Sequence, residues 1–251
     1  MKWSEKLKIS ELKDKYSKQR IITIADALDP VDSELVYSSL NDVTEGNIWY
    51  QALRGNPHYI NKSDVSNTHD FHYRFDKFPL SNITIKKLLG VTADSKRADF
   101  RAVMKYGDSP EKELPSFHPL SKLGSFLNSD ECYSLFTEIT GHKFTKNSTV
   151  SFLSRYMAGD YLSTHDDSDP KNERVLTFIL SLNKTWEHHW GGQTLIFNKK
   201  NTDSVTDCII PSYNTLTIFD VPLLHCVLPV SNFSQAPRYA ISGWIHKSPR
   251  I

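Results

Sequence analysis

Residues 161–182, YLSTHDDSDPKNERVLTFILSL, join a turn crowded with His165, Asp166, Asp167 and Asp169 to a run rich in β-branched and aromatic side chains. The second part decides the fold. A run from Arg174 to Leu182 is short for a helix and suits a strand buried on both faces. Runs of the same kind recur at 148–157 (STVSFLSRYM), 192–198 (GQTLIFN), 207–211 (DCIIP), 214–221 (NTLTIFDV), 225–230 (HCVLPV) and 238–246 (RYAISGWIH). Gly, Pro, Asn and Asp fall at the breaks, where turns need them. Short strands at this spacing predict an antiparallel sandwich or barrel rather than βαβ units. The first part poses a chemical question. Carboxylates this close repel one another unless water, a cation or a hydrogen-bond donor compensates them.

Upstream of residue 145 the signals are mixed. In DPVDSELVYSSLNDV (29–43), Asp29, Pro30 and Asp32 suit a helix start, and Leu35, Val36 and Leu40 recur at helical spacing. In NSDECYSLFTEITG (128–141), Ser129 or Asp130 can cap a second helix and Gly141 can end it. SNTHDFHYRFDKFPL (66–80) suits an exposed strand or a binding loop. Trp3, Leu7 and Ile9 can line one face of a short N-terminal basic helix packed on the domain. The expected fold is mainly β with α. Residues 1–145 form a helical and extended support region, and 146–251 form the β core of the same domain.

Bulk composition narrows the function. The 251 residues carry 30 Lys+Arg against 29 Asp+Glu, a net charge of +1. No global basic field exists for nucleic acid or anionic lipid. The N-terminus lacks the apolar core of a secretory signal, and no stretch approaches a transmembrane span. The three cysteines show no CxxC spacing, which favours a reducing compartment. The expected location is the cytoplasm, with neither nucleic acid nor membrane as partner. Nothing in the sequence sets an oligomeric state.

His165, Asp167 and one distant histidine can assemble a mononuclear metal site. Along an extended segment residues i and i+2 share a face, so His165 and Asp167 aim at one centre while Asp166 points elsewhere. The best third ligand is His225, 58 residues beyond Asp167 (225 − 167) at a strand start. Two imidazoles and one carboxylate form the facial triad of non-haem Fe(II) oxygenases. With ten histidines in the chain, a polar turn at 165–167 and a hydrogen-bonded core histidine at 225 remain the competing readings. In PRYAISGWIHK (237–247), Arg238, Ala240 and Ser242 share a strand face. A permanent charge flanked by apolar residues calls for an anion, and an Arg fork beside a hydroxyl receives a carboxylate. An internal salt bridge is the alternative.

Together RYMAGDYLSTHDD, RVLTFILSLNKTWEHHWGGQTLIF, LLHCVLPV and RYAISGWIH, spanning roughly 149–247, resemble the prolyl-hydroxylase-like branch of the Fe(II)/2-oxoglutarate-dependent oxygenases. The resemblance implies a double-stranded β-helix, a jelly-roll or cupin-like barrel supported by N-terminal helices. It implies a dioxygenase that couples decarboxylation of 2-oxoglutarate to succinate and CO2 with hydroxylation by O2, with ascorbate as a candidate auxiliary reductant. His165, Asp167 and His225 would bind Fe(II). Arg238 would pair with the distal carboxylate of 2-oxoglutarate, assisted by Tyr156 and Ser242. Arg174 would touch substrate near the metal. One departure stands out: Ser181 lies where the family often has a tyrosine. Asp167 is retained, whereas related halogenases replace this carboxylate, so hydroxylation is favoured. Asp166 and Asp169 would then belong to a solvated loop.

Two other histidine clusters read as incidental. His69, Asp70 and His72 lack a distant partner, and adjacent His188 and His189 would point to opposite faces of a strand. Gly191 and Gly192 are expected to turn a hairpin near the pocket mouth, and Cys226 to face away from the metal. Trp49, Tyr50, His72 and Tyr73 are candidates for a substrate wall or for packing. Three readings follow. The first is a hydroxylase of a prolyl or other amino-acid-type side chain in a protein or peptide. The second is a hydroxylase of a free or carrier-linked small metabolite. The third is a non-catalytic metal-binding barrel.

Overall fold

The computed structural model describes residues 1–40, 50–55, 71–80, 100–104, 114–168, 173–198 and 203–249, with 50–55, 71–79 and 100–104 as backbone alone. Residues Trp49, His69, Asp70 and Asp169, and the side chains of Tyr50, His72 and Tyr73, lie outside the described part.

From residue 149 onward the apolar runs become strands: β5 (Thr149–Tyr156), β6 (Tyr161–His165), β7 (Arg174–Ser181), β8 (Thr194–Phe197), β9 (Val205–Ile209), β10 (Thr215–Asp220), β11 (His225–Val227) and β12 (Arg238–His246). Successive strands alternate between two antiparallel faces, except that β8 and β9 form a hairpin within one of them. One is ordered β10-β7-β12-β5 and the other β6-β11-β8-β9. That alternation is the jelly-roll, or double-stranded β-helix, connectivity expected from the sequence. β7 and β12 are central in their face, which is why both read as apolar runs instead of alternating with polar residues.

Residues before 145 add strands as well as helices. β1 (Ile21–Ile24) extends the first face by pairing with β10. β3 (Phe71–Pro79) pairs with β5 through Asp76–Pro79 and with β6 through Tyr73 and Arg74, so it joins the two faces. β2 (Tyr50–Gly55) pairs with β3 and with β4 (Phe100–Met104). Within 66–80 the described residues Phe71–Pro79 are therefore a strand, while the expected exposure of its side chains lies outside the described part.

Among the described residues four helices cover the first face: α1 (Ile9–Gln19), α2 (Pro30–Ser38), α3 (Pro119–Phe126) and α4 (Asp130–Thr140). Their termini follow local chemistry. Asp29 accepts from Val31 N at 3.0 Å, Ser129 accepts from Cys132 N at 3.2 Å, and Gly141 closes α4 at φ +77°. Leu123, Phe126, Phe136 and Ile139 pack against Leu153, Phe178 and Ile241 of the sheet. Each such burial stabilises the fold by roughly 1.5–3 kcal/mol. Phe136 and Phe178 meet with ring centroids 6.2 Å apart across the layer boundary, so Phe136→Ala would open a cavity there.

Two expectations shift. Residues 1–8 are not helical. Trp3 makes a β-bridge to Leu28 and sets its ring edge-on to Phe126, centroids 5.0 Å apart, so it is core and not the start of a helix face. Val36 on α2 and Leu40 just beyond it are buried, while Leu35 points outward with 51% exposure. Among the described residues no helix is long and apolar enough to cross a membrane.

Candidate metal and cosubstrate site

β6 and β11 are hydrogen-bonded neighbours, and His165 and His225 are direct cross-strand partners. Their ring centroids are therefore only 4.1 Å apart. Asp167 comes to the same place by another route than strand alternation. β6 ends at His165, and Asp167 adopts φ +62°, a left-handed conformation unfavourable for a side chain with a Cβ. The turn, more than the i, i+2 rule, aims the carboxylate. Its Oδ1 lies 3.3 Å from His165 Nε2 and its Oδ2 3.5 Å from His225 Nε2. One potential ligand atom from each of the three residues falls within 4.8 Å of the others.

Hydrogen bonds assign the imidazole tautomers. His165 Nδ1 lies 2.8 Å from Ser163 O, and His225 Nδ1 lies 2.7 Å from Leu223 O. A carbonyl only accepts, so Nδ1 carries the proton and a neutral ring offers its Nε2 lone pair toward Asp167. Burial pushes His225 below its ordinary pKa, with Asp167 partly opposing, so the neutral form is favoured. For Asp167, burial alone would raise the pKa. When the rings are protonated, the His165 hydrogen bond and the charges of His225, His165 and Arg174 outweigh it and hold the carboxyl far below its usual range; with neutral rings only the Arg174 charge of these remains. Two lone pairs facing a buried carboxylate are a donor set that a divalent cation gathers, and the His/His/carboxylate composition fits Fe(II).

Asp167 is braced on both sides. Thr177 Oγ1 on β7 donates to its Oδ2 at 2.7 Å, and Arg174 Nη1 donates to its backbone carbonyl at 3.1 Å. The Arg174 guanidinium stacks 3.8 Å from the Trp244 ring centroid. Arg174 thus sits beside the His/Asp/His cluster and holds the Asp167 turn. Asp166 is only partly solvated: its Oδ1 accepts from Ser168 N at 3.0 Å and closes a local turn.

Arg238 begins β12 directly opposite Tyr156 at the end of β5, with its guanidinium carbon 5.0 Å from the Tyr156 ring centroid. It is 2% exposed, and burial pulls its pKa below the ordinary arginine value. Among the described residues no carboxylate forms an ion pair with it. Nη2 donates to Thr194 Oγ1 at 3.3 Å, and Nε has no hydrogen-bond partner. A buried guanidinium held by one neutral hydroxyl is a receptor for a carboxylate. Burial raises the Tyr156 phenol above its ordinary pKa, so it remains a neutral donor beside Arg238. Ser242 faces the same interior, level with Phe152 and Ile179, but lies roughly 13 Å along the strand from Arg238. It shares the strand face of Arg238 but is not brought to the guanidinium. Ser181 is buried on β7, level with Ala240.

Thr177 and Thr194 escaped the sequence reading, because their partners depend on which residues face one another across strands. A weak signal existed: each is a hydroxyl within an apolar strand. Residues 188–190 form a 3-10 turn in which both histidines are exposed, and Gly191 and Gly192 follow at φ +73° and +69°. The glycines turn the chain, but not into the expected hairpin, because β7 and β8 belong to different faces and do not pair; the turn instead packs against Arg238, where a Cβ on Gly192 would lie 3.0 Å from Arg238 Cδ. Cys226, next to His225 on β11, contacts Thr164 and Leu195, away from the metal ligands.

Residues 151–246 match the sequence profile described as the 2OG-Fe(II) oxygenase superfamily. No curated protein sequence matches the chain. Several solved structures share the fold. A Pseudomonas putida prolyl-4-hydroxylase is 15% identical with a TM-score of 0.56, covering 100% of this chain and 97% of that one. A Trichoplax adhaerens prolyl hydroxylase, solved with a hypoxia inducible factor oxygen degradation domain peptide fragment, is 16% identical with a TM-score of 0.59, covering 95% and 89%. A 2OG-Fe(II) oxygenase family oxidoreductase from Burkholderia pseudomallei is 10% identical with a TM-score of 0.60, covering 99% and 95%.

Proposed function

We propose that this chain is a 2OG-Fe(II) oxygenase, a reading supported by the profile match over residues 151–246, and that it hydroxylates an unactivated C–H bond of a prolyl or other amino-acid-type side chain in a protein or peptide. The superfamily uses Fe(II), 2-oxoglutarate and O2. The observation that carries the reading for this chain is the pairing of two features. One is a buried His/Asp/His cluster whose Nε2 atoms converge on a carboxylate; the other is a buried guanidinium with no acid among the described residues. His165, Asp167 and His225 would hold the metal. Arg238, Tyr156 and Thr194 would receive the distal carboxylate of 2-oxoglutarate. When bound, iron and cosubstrate supply the oxidising chemistry, releasing succinate and CO2. The chain's own work is placement. It fixes the imidazole tautomers through Ser163 and Leu223, keeps the Tyr156 phenol protonated, and lines the interior with Ile179, Ile196, Phe219 and Ala240, which exclude water.

A peptide substrate is supported by the shared fold with prolyl hydroxylases, one of them solved with a peptide. The test begins anaerobically, titrating apo protein with Fe(II) and then 2-oxoglutarate. The weak visible charge-transfer band of a chelated 2-oxo acid is expected in wild type and absent in His225→Ala. Peptides and amino-acid-type metabolites are then compared by succinate release and mass gain. Oxidation of free metabolites alone would replace the peptide reading. Bound metal without the band would leave a metal-binding barrel.

A further inference from the structure

Thr177 makes a contact that ligand assignment leaves unexplained. Its hydroxyl, 4% exposed within central strand β7, donates at 2.7 Å to Oδ2 of Asp167. A threonine hydroxyl has one proton, and here it is directed to one carboxylate oxygen only. Oδ1 takes no such bond from Thr177 and lies on the His165 side, 3.3 Å from His165 Nε2. The two oxygens of Asp167 are therefore not equivalent.

Resting on the metal-site reading above, we propose that Thr177 is a positioning residue that makes Asp167 a single-oxygen ligand. By engaging Oδ2 it stops the carboxylate from turning both oxygens to the metal. Carboxylates bind ions through one oxygen or two, and one-oxygen binding leaves an additional coordination position open. With two imidazoles and one carboxylate oxygen, three positions of an octahedral ion stay available, the number needed for a chelating 2-oxo acid and O2. A two-oxygen Asp167 would leave two. Strand geometry makes Thr177 suited to the task. It is level with Phe219 on β10 and Trp244 on β12, so packing on both sides fixes the strand that carries the hydroxyl. The bond from the Arg174 guanidinium to the Asp167 carbonyl holds the same residue from its other end.

The experiment compares wild type, Thr177→Val, Thr177→Ala and Thr177→Ser by anaerobic titration with Co(II), without and then with 2-oxoglutarate. Affinity and the Co(II) ligand-field spectrum are read directly. Wild type and Thr177→Ser are expected to agree within about threefold, with the same spectrum. Thr177→Val, which keeps shape but loses the hydroxyl, is expected to bind metal about 10–100-fold more weakly. Its spectrum should also change, and 2-oxoglutarate should bind less well to the loaded protein. Thr177→Ala serves if Thr177→Val does not fold. Wild-type affinity and spectrum in the hydroxyl-less variants would overturn the proposal while leaving the metal site intact. So would a spectrum in Thr177→Ser as altered as in Thr177→Val, because then shape and not the hydroxyl matters. No Co(II) bound by wild type itself would overturn the metal site and this proposal together.

Discussion

Replacing Arg238 by methionine should push cosubstrate affinity and protein stability in opposite directions. The guanidinium is 2% exposed, its Nε has no hydrogen-bond partner, and it meets only neutral groups, Thr194 Oγ1 at 3.3 Å and the Tyr156 ring, among the described residues. In the cosubstrate-free protein this is a desolvated charge with little compensation. Substituting an apolar residue of similar volume for a buried ion is commonly neutral or stabilising by about 1–4 kcal/mol. For a chain of this size each kcal/mol moves the melting temperature by about 2–4 °C. Binding should change with the other sign. A hydrogen bond to a charged group contributes about 1.5–3 kcal/mol, so losing the guanidinium should weaken 2-oxoglutarate about 10–150-fold. The two effects separate in one thermal-shift series, run with and without 2-oxoglutarate at 100 times the wild-type Kd. Wild type should gain about 2.7 kcal/mol from ligand, and a variant weakened a hundredfold only about 0.4 kcal/mol. Metal binding should be unaltered. Cosubstrate affinity within threefold of wild type would refute the anchor. A lower melting temperature for the apo variant would refute the picture of an uncompensated charge.

Other outcomes follow from the same geometry. His225→Ala should abolish stoichiometric Fe(II) or Co(II) binding, measured by equilibrium dialysis, because it removes one of three converging donors. Tyr156→Phe keeps the ring beside Arg238 and loses the phenol, and should weaken 2-oxoglutarate roughly tenfold with metal affinity unchanged, as isothermal calorimetry would show. Gly192→Ala forces a Cβ at φ +69° to within 3.0 Å of Arg238 Cδ, and should destabilise the fold by roughly 1–3 kcal/mol in urea titration. Burial holds the folded His225 pKa below the ordinary histidine value of about 6.5. Its contribution is complete above about 6.5 and is lost as pH falls toward the lower folded value. The apo melting temperature should therefore drop between pH 7 and 5.5, and more steeply in wild type than in His225→Gln.

Strand content was legible because β7, β10 and β12 are rich in residues that suit a pleated, doubly buried surface, and their breaks carry Gly, Pro, Asn and Asp. The helices around 30–38 and 130–140 were legible from their caps. β1 was not: four residues, Ile21–Ile24, carry too little periodicity, and the pairing partner β10 lies almost two hundred positions away. His165 and His225 could be picked out as chemistry-bearing residues beside apolar runs, but their convergence came with the family resemblance and the strand register. The aim of Asp167 could not be derived from alternation, because the turn that sets it depends on Arg174 and Thr177. Arg238 was legible as a charge in the wrong surroundings. Thr194, its neighbour from the opposite face, was not, since nothing local to residue 194 says which strand it will meet.

The direct pairing of His165 with His225 has a consequence for how such a centre tolerates change. The two ligands are 60 positions apart in sequence (225 − 165), yet their spacing in space is set by a single rung of an antiparallel ladder. A connection between β7 and β11 that grows or shrinks leaves that rung untouched, at an entropic cost of only about 0.6 kcal/mol per doubling of loop length. A one-residue slip of the ladder instead turns a histidine to the opposite face and dismantles the centre outright. Ligand geometry is thus stored in strand register, and loop length is free to diverge.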